Sequence, residues 1–224
     1  HSSALKWFAS YLNGRYQRVC IASGTSSLLP VTQGVPQGTI LGPTLFNLYV
    51  RLLPDLAAGS GAKLLMFADD KTLYASSRDP IVCADVVSSA LAKLHSELRS
   101  LGMSVNVDKT VVMRILPKNA PDVQRPVLVE LGGTTLREVS VIRCLGILID
   151  NKLSFVPHVD HLTSKVSRKI GALRRTFRQM AAFARRQYLL SVIHPDFEYC
   201  FPVYASHLSA QSRERLFTLF RRAV

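Results

Sequence analysis

The stretch LLMFADDKTLYASS, Leu64 to Ser77, sets two adjacent carboxylates, Asp69 and Asp70, between two apolar runs. Lys63 to Phe67 and Thr72 to Ser76 read as the strands of a hairpin with the acids at its bend. Two chemistries place like charges there. Asp suits turn geometry, because its carboxylate accepts hydrogen bonds from nearby backbone amides. A pair of hard oxygen donors also suits a divalent cation such as Mg2+, whose charge offsets their mutual repulsion. The four letters FADD leave both open.

Upstream, TQGVPQGTILGPTLF alternates Gly34, Gly38 and Gly42 with Pro36 and Pro43. The result is a loop fixed in some torsions, bare of side chains at others, and delivered onto a helix that Pro43 opens. Such a surface lets a base pair or a phosphate approach the backbone closely, although an ordinary turn-rich connection has the same composition. No Gly-Lys-Ser/Thr follows, which excludes a Walker phosphate loop. The helix PTLFNLYVRLLPDL should bury Leu45, Leu48, Tyr49, Leu52 and Leu53. Earlier still, Leu5, Phe8, Ala9 and Leu12 share one face of a helix that Asn13-Gly14 stops, and YQRVCIAS pairs with TSSLLPVTQ across Gly24.

Downstream, Asp79-Pro80 opens a helix to Leu101, with Val82, Val86, Val87, Leu91, Leu94 and Leu98 turned inward and Gly102 as the stop. SVNVDKTVVMRI, VLVELGG and SVIRCLGILI then read as short strands, and helices follow Pro157 with breaks near Phe183 and His194-Pro195. The expected fold class is α+β. Residues 1–156 make the α+β part and residues 157–224 a basic helical region, with the composition shifting near Leu153 to Pro157.

The charge is unevenly distributed. Of a net +13, residues 161–224 supply 12 Lys and Arg against 3 Asp and Glu. Lys165, Arg168, Lys169, Arg174, Arg175 and Arg178 form the outer side of an amphipathic helix whose other face carries Val166, Ile170, Leu173 and Phe177. A solvated face would look similar, but the imbalance favours phosphates. No run of about eighteen uncharged apolar residues marks a membrane span, and the N-terminus has no secretory pattern. The four cysteines form no C-x-x-C pair, which fits a reducing, intracellular setting. His158 and His161 have H-x-x-H spacing with no cysteine or acidic cluster beside them, and read as residues at a helix start rather than as zinc ligands.

Together these segments carry a family resemblance. QGVPQGTILGPTLFNLYV resembles motif B of reverse transcriptases, FADD resembles motif C, and GMSVNVDKTVVM resembles motif D, with Lys109 at the matching lysine. CLGILIDNKLSF resembles the strand pair that follows, and HPDFEYCFPVYA is similar to the thumb of non-long-terminal-repeat retrotransposon enzymes of the jockey-like and long-interspersed-element-like group. Each piece is short, but they occur in the family's order across nearly the whole chain.

The resemblance implies an RNA-directed DNA polymerase, with residues 1–156 as partial palm, an antiparallel sheet with packed helices, and 157–224 as a basic helical thumb. It implies Asp69 as a direct ligand of two divalent ions, Mg2+ or Mn2+, with Asp70 sharing or tuning that site. Pro36, Gln37 and Gly38 would line the incoming deoxynucleoside triphosphate, and Lys109 would approach the pyrophosphate as general acid or charge partner. The basic helix would lie along an RNA template and DNA primer. Without the resemblance, Gln37 reads as a turn side chain, Lys109 as a solvated strand-end lysine, and Phe67 and Ala68 as packing residues. The family's site needs a further Asp, in motif A, ahead of the segment resembling WFASYLNGRYQRV; Asp55, the only acid before the pair, ends the helix after the glycine loop. These 224 residues are therefore expected to be inactive by themselves. A noncatalytic nucleic-acid-binding remnant or domesticated domain is the alternative, whereas a metal-dependent hydrolase explains neither the glycine loop nor the basic helices.

Overall fold

The computed structural model describes residues 2–117, 127–176 and 179–223. Helix and strand are mixed along the chain, which divides into two compact units, residues 1–103 and 104–224. The compositional shift at 153–157 lies inside the second unit, because the strand before it and the helix after it share one core.

The first unit opens with α1 (Ser2–Leu12), ended by Gly14 at φ +66°. None of its residues is buried: the apolar face expected to pack stands open, with Leu5 71 % exposed, and Trp7 stacks on Tyr11 instead. The next segment forms the expected hairpin in two short ladders, β1 (Tyr16–Gln17) with β4 (Leu29–Pro30) and β2 (Cys20–Ile21) with β3 (Gly24–Thr25).

The helix expected from Pro43 is two helices, α2 (Gly42–Tyr49) and α3 (Leu53–Ala58). Pro54 explains the break. It has no N–H to give the Val50 carbonyl, and its ring would clash with that carbonyl in a continuous helix. The break rotates the buried stripe to Val50, Leu53 and Ala57, leaving Leu48, Tyr49 and Leu52 about half exposed.

β5 (Lys63–Phe67) and β6 (Asp70–Tyr74) pair antiparallel in register from Lys63 with Tyr74 to Phe67 with Asp70. α3 packs against β5, and α4 (Pro80–Ser100) against both β6 and α3. One side of the hairpin, Leu64, Met66, Lys71 and Leu73, is half-buried; the other, with Leu65, Phe67, Asp70, Thr72 and Tyr74, is exposed. Local chemistry delimits α4 as expected: the Asp79 carboxylate accepts from the Ile81 N–H at 2.8 Å, and Gly102 takes φ +69°. Its buried stripe is Ala90, Leu94 and Leu98, while Val82 stays about half exposed.

In the second unit, β7 (Val111–Val112) pairs in parallel with β10 (Arg137–Glu138), and β8 (Glu130–Leu131) pairs antiparallel with β9 (Thr134–Thr135). β11 (Val141–Cys144) and β12 (Ile147–Asp150) make a tight hairpin across Leu145 and Gly146, both at positive φ. α5 (Val156–Thr176) then lays Val159, Leu162, Val166, Ile170 and Leu173 inward at helical spacing. The first four join Ile147, Phe155, Ile193, Tyr204, Leu208, Leu216 and Leu219 in one core, and each such side chain contributes about 1.5–3 kcal/mol by leaving water. α6 (Ala182–Tyr188), a π-helical turn, α7 (His194–Glu198), α8 (Phe201–Tyr204) and α9 (Ala210–Ala223) complete the unit. The expected break near Phe183 falls just before it, at Met180 and Ala181, but the one expected at His194-Pro195 does not form: the chain stays helical from 182 to 198, with the π-helical turn Leu189–Ile193 placed just ahead of Pro195. No helix among the described residues is long and apolar enough to cross a membrane.

His158 is a core residue rather than a decoration of the helix start. Its ring meets Tyr204 edge-on at 4.8 Å, and burial, reinforced by His161 and Lys165, lowers its pKa. The four cysteines are free thiols.

Candidate functional site

Two residues, Ala68 and Asp69, connect β5 to β6, and Asp70 is the first residue of β6, paired with Phe67. Asp70 therefore belongs to the ladder, two residues earlier than the strand expected from Thr72. Ala68 takes φ +52°, a conformation that costs an L-residue about 1 kcal/mol or more and that a two-residue hairpin turn requires at its first position. A small side chain suits that position. Both carboxylates are exposed, Asp69 on the bend and Asp70 on the open side of the hairpin beside Phe67 and Thr72.

Lys71 ties this bend to the preceding helix. Its ammonium donates to the Asp69 carbonyl at 3.3 Å and lies 5.7 Å over the Phe46 ring of α2. Because α2 begins at Gly42, where the glycine loop ends, the acid bend and the helix fed by that loop are neighbours. The loop exposes Gln37 and Gly38, half-buries Pro36, and holds Gly34 and Gly38 at φ +81° and +73°. A Cβ at Gly34 or Gly38 would meet nothing within 4 Å, so these glycines leave open space above the backbone.

Three residues that the sequence did not single out fasten the loop. The Tyr11 hydroxyl donates to Thr39 Oγ1 at 2.9 Å, Thr39 Oγ1 donates to the Pro36 carbonyl at 2.8 Å, and Arg15 Nη2 donates to the Gly34 carbonyl at 2.7 Å. Thr39 lies two residues ahead of the helix cap at Leu41 and is followed three residues later by Gly42 rather than by Glu or Gln, so it carried no capping-box signature, and the contacts from α1 and its flank left no local signal either.

Among the described residues no three His, Cys, Asp or Glu side chains gather as a metal cluster. The described residues thus form no closed protein cage. Two exposed carboxylates do fit Mg2+, which is commonly bound through one or two carboxylates together with water and substrate phosphates.

The other expected site residues lie in the second unit. Lys109 is exposed and ends a 3-10 turn, Val107–Lys109, where the Asn106 side chain accepts from its N–H at 3.1 Å. Of the basic set, Lys165 and Lys169 converge on Asp196, at 2.9 and 2.6 Å, and Lys169 also donates to the Val192 carbonyl at 2.7 Å. Burial alone would raise the Asp196 carboxyl, but these two ammonium groups hold it below its ordinary value. Arg168, Arg174 and Arg175 are exposed on α5 with no carboxylate within ion-pair distance among the described residues. Arg178, and Phe177 on the apolar face, lie outside the described residues.

Comparison with known proteins bears directly on these segments. The family model described as reverse transcriptase (RNA-dependent DNA polymerase) matches residues 1–149. Over 156 residues the chain is 29 % identical to a "Retrovirus-related Pol polyprotein from type-1 retrotransposable element R1" of Bradysia coprophila, covering 70 % of this chain and 15 % of that protein. It is 31 % identical over 170 residues to a "Probable RNA-directed DNA polymerase from transposon BS" of Drosophila melanogaster, covering 74 % and 18 %. It is 23 % identical over 171 residues to the "RNA-directed DNA polymerase from mobile element jockey" of the same fly, covering 73 % and 18 %. The chain thus spans less than a fifth of the length of these relatives. No solved structure matches it. With the loop, the acid hairpin and the lysine segment all inside the matched residues, the chain belongs to the reverse transcriptase family and groups with the polymerases of R1- and jockey-type non-long-terminal-repeat retrotransposons.

Proposed function

We propose that these residues contribute palm and thumb, with the change near residue 156, to an RNA-directed DNA polymerase of a retroelement, and that Asp69 and Asp70 are its metal-facing carboxylates. The observation that carries this reading is the Lys71 link, which keeps the acid bend beside the helix that the glycine loop feeds. Divalent ions bound there would acidify a primer 3'-hydroxyl and neutralise the phosphates of the incoming nucleotide. Asp69, on the bend, would hold the ions directly, while Asp70 would share the load from the strand end. Pro36, Gln37 and Gly38 would line the nucleotide, with the bare backbone at Gly38 admitting a flat base pair or a phosphate. Lys109 would meet the departing pyrophosphate as a charge partner or proton donor.

The thumb would grip an RNA template paired with a DNA primer through Arg168, Arg174, Arg175 and Arg178, with a weaker share from Lys165 and Lys169, whose ammonium groups already serve Asp196. The 224 residues alone would be inactive, because two carboxylates without a third do not fix two ions for in-line transfer. Nucleic-acid binding without catalysis is the second reading, and the exposed arginines of α5 favour it independently of the hairpin.

Amide NMR spectra recorded with substoichiometric Mn2+ test the site. Selective broadening at residues 68–71, with weaker broadening at 34–42 and loss of both in Asp69→Asn, is expected. Uniform or absent broadening would refute the metal assignment. Primer extension on an RNA template should give no product; synthesis abolished by Asp69→Asn would overturn the inactivity of the chain while supporting the polymerase reading.

A further inference from the structure

We infer that Thr39, locked by Tyr11, is the positioning residue of the nucleotide loop; this rests on the reading of residues 34–42 as the segment that receives the nucleotide. A hydroxyl has one proton to give and two lone pairs to offer. Thr39 uses all three. It donates to the Pro36 carbonyl at 2.8 Å and accepts from the Gly42 N–H at 3.2 Å and from the Tyr11 hydroxyl at 2.9 Å.

Each partner fixes a different point. The bond to Pro36 closes the turn that carries Gln37 and Gly38 across its top. The bond from Gly42 satisfies a helix N-terminal amide that otherwise has no intrahelical acceptor. The bond from Tyr11 reaches 28 residues back to α1, so the loop is held from outside itself. Arg15 adds a second external tie at Gly34, its Nε also donating to the Leu12 carbonyl at 3.1 Å.

The fit at Gly42 leaves little slack. A Cβ there would lie 3.0 Å from the Pro36 carbonyl oxygen and 3.2 Å from Thr39 Oγ1. A loop with glycines at positive φ gains conformational freedom cheaply, and a nucleotide binding to an unbraced loop must first freeze it. The hydroxyl of Thr39 removes that cost before the ligand arrives. Tyr11 removes the remaining freedom of the hydroxyl itself, since a saturated Oγ1 cannot turn to solvent.

The test is nucleotide binding to the chain, read from amide shifts at Gly34, Gly38 and Gly42 during titration with deoxythymidine triphosphate and Mg2+. Emission of Trp7, the single tryptophan, which stacks on Tyr11 at 5.4 Å, is a second readout. Thr39→Val, which keeps the shape and removes the hydroxyl, should weaken binding about tenfold, Tyr11→Phe about threefold, and Thr39→Ser less than about twofold. Equal affinity in wild type, Thr39→Val and Tyr11→Phe would overturn the inference while leaving the nucleotide loop intact. Equal losses in Thr39→Val and Thr39→Ser would overturn it too, because the hydroxyl would not be the cause. If the wild-type chain shows no nucleotide shift at these glycines, the reading of the loop itself fails and the inference falls with it. Should Thr39→Val lower the melting temperature of the first unit below the working range, Tyr11→Phe carries the same comparison.

Discussion

Removing the carboxylate of Asp150 should loosen the joint between β12 and α5 by several kcal/mol. One oxygen of this buried side chain accepts from the Phe155 N–H at 2.6 Å; the other accepts from the Lys152 N–H at 3.2 Å and from the Ser154 N–H and hydroxyl at 3.1 and 3.0 Å. The loop so gathered holds Leu153 and Phe155 at φ +51° and +56°, conformations that cost each about 1 kcal/mol or more and need outside support. Bonds to a charged acceptor contribute about 1.5–3 kcal/mol apiece, and water recovers part of that at the exposed Lys152. Asp150→Ala should therefore cost about 3–4 kcal/mol, and Asp150→Asn about 2, because the amide keeps one acceptor and turns a donor toward two N–H groups. Burial by itself would raise this carboxyl, yet the four bonds outweigh it and hold the pKa below the usual value. With the folded pKa depressed, the stabilisation is fully present above the unfolded value, near 3.9, and is lost as pH falls through the folded one. Urea unfolding followed by circular dichroism between pH 2 and 7, with amide exchange on α5, measures both effects; Trp7 lies in the first unit and is an internal control. A loss under about 1 kcal/mol in Asp150→Ala, or an acid sensitivity in Asp150→Asn as steep as in wild type, would refute the reasoning.

Salt dependence separates structural from phosphate-binding cations: Arg174→Ala should lower the slope of log K against log salt for an RNA–DNA duplex by about 0.9, whereas Lys169→Met should leave the slope within about 0.3 and instead cost about 1–2 kcal/mol of stability, read by titration and melting. Gly42→Ala should destabilise the first unit by about 1 kcal/mol despite favouring the helix, because its Cβ would press on the Pro36 carbonyl; a higher melting temperature would contradict this. Asp69→Asn combined with Asp70→Asn should relieve like-charge repulsion at the bend and leave melting unchanged or raised in the absence of divalent ions, while abolishing any rise on adding Mg2+; a rise that persists in the double variant places the ion elsewhere.

Local chemistry was legible wherever the decisive partners were close in sequence. Asp79 and Gly102 delimit α4 through contacts within a few residues, and the hairpin expected across Gly24 forms with Ala22 and Ser23 at its turn and Gly24 already in the ladder opposite Ile21. The break between α2 and α3 was equally written in Pro54, and a reading of apolar spacing alone passed over it. Thr39 differs, since its bonds to Pro36 and Gly42 are local while its lock to Tyr11 depends on two elements meeting in space. The same distinction governs the charges. In sequence the six cations of 165–178 look equivalent, yet Asp196, twenty-seven residues beyond Lys169, draws Lys165 and Lys169 into the packing of α5 on α7. A charge count therefore overstates the phosphate contacts α5 can make, and the salt slope of the folded chain should follow Arg168, Arg174 and Arg175, which pair with no carboxylate among the described residues.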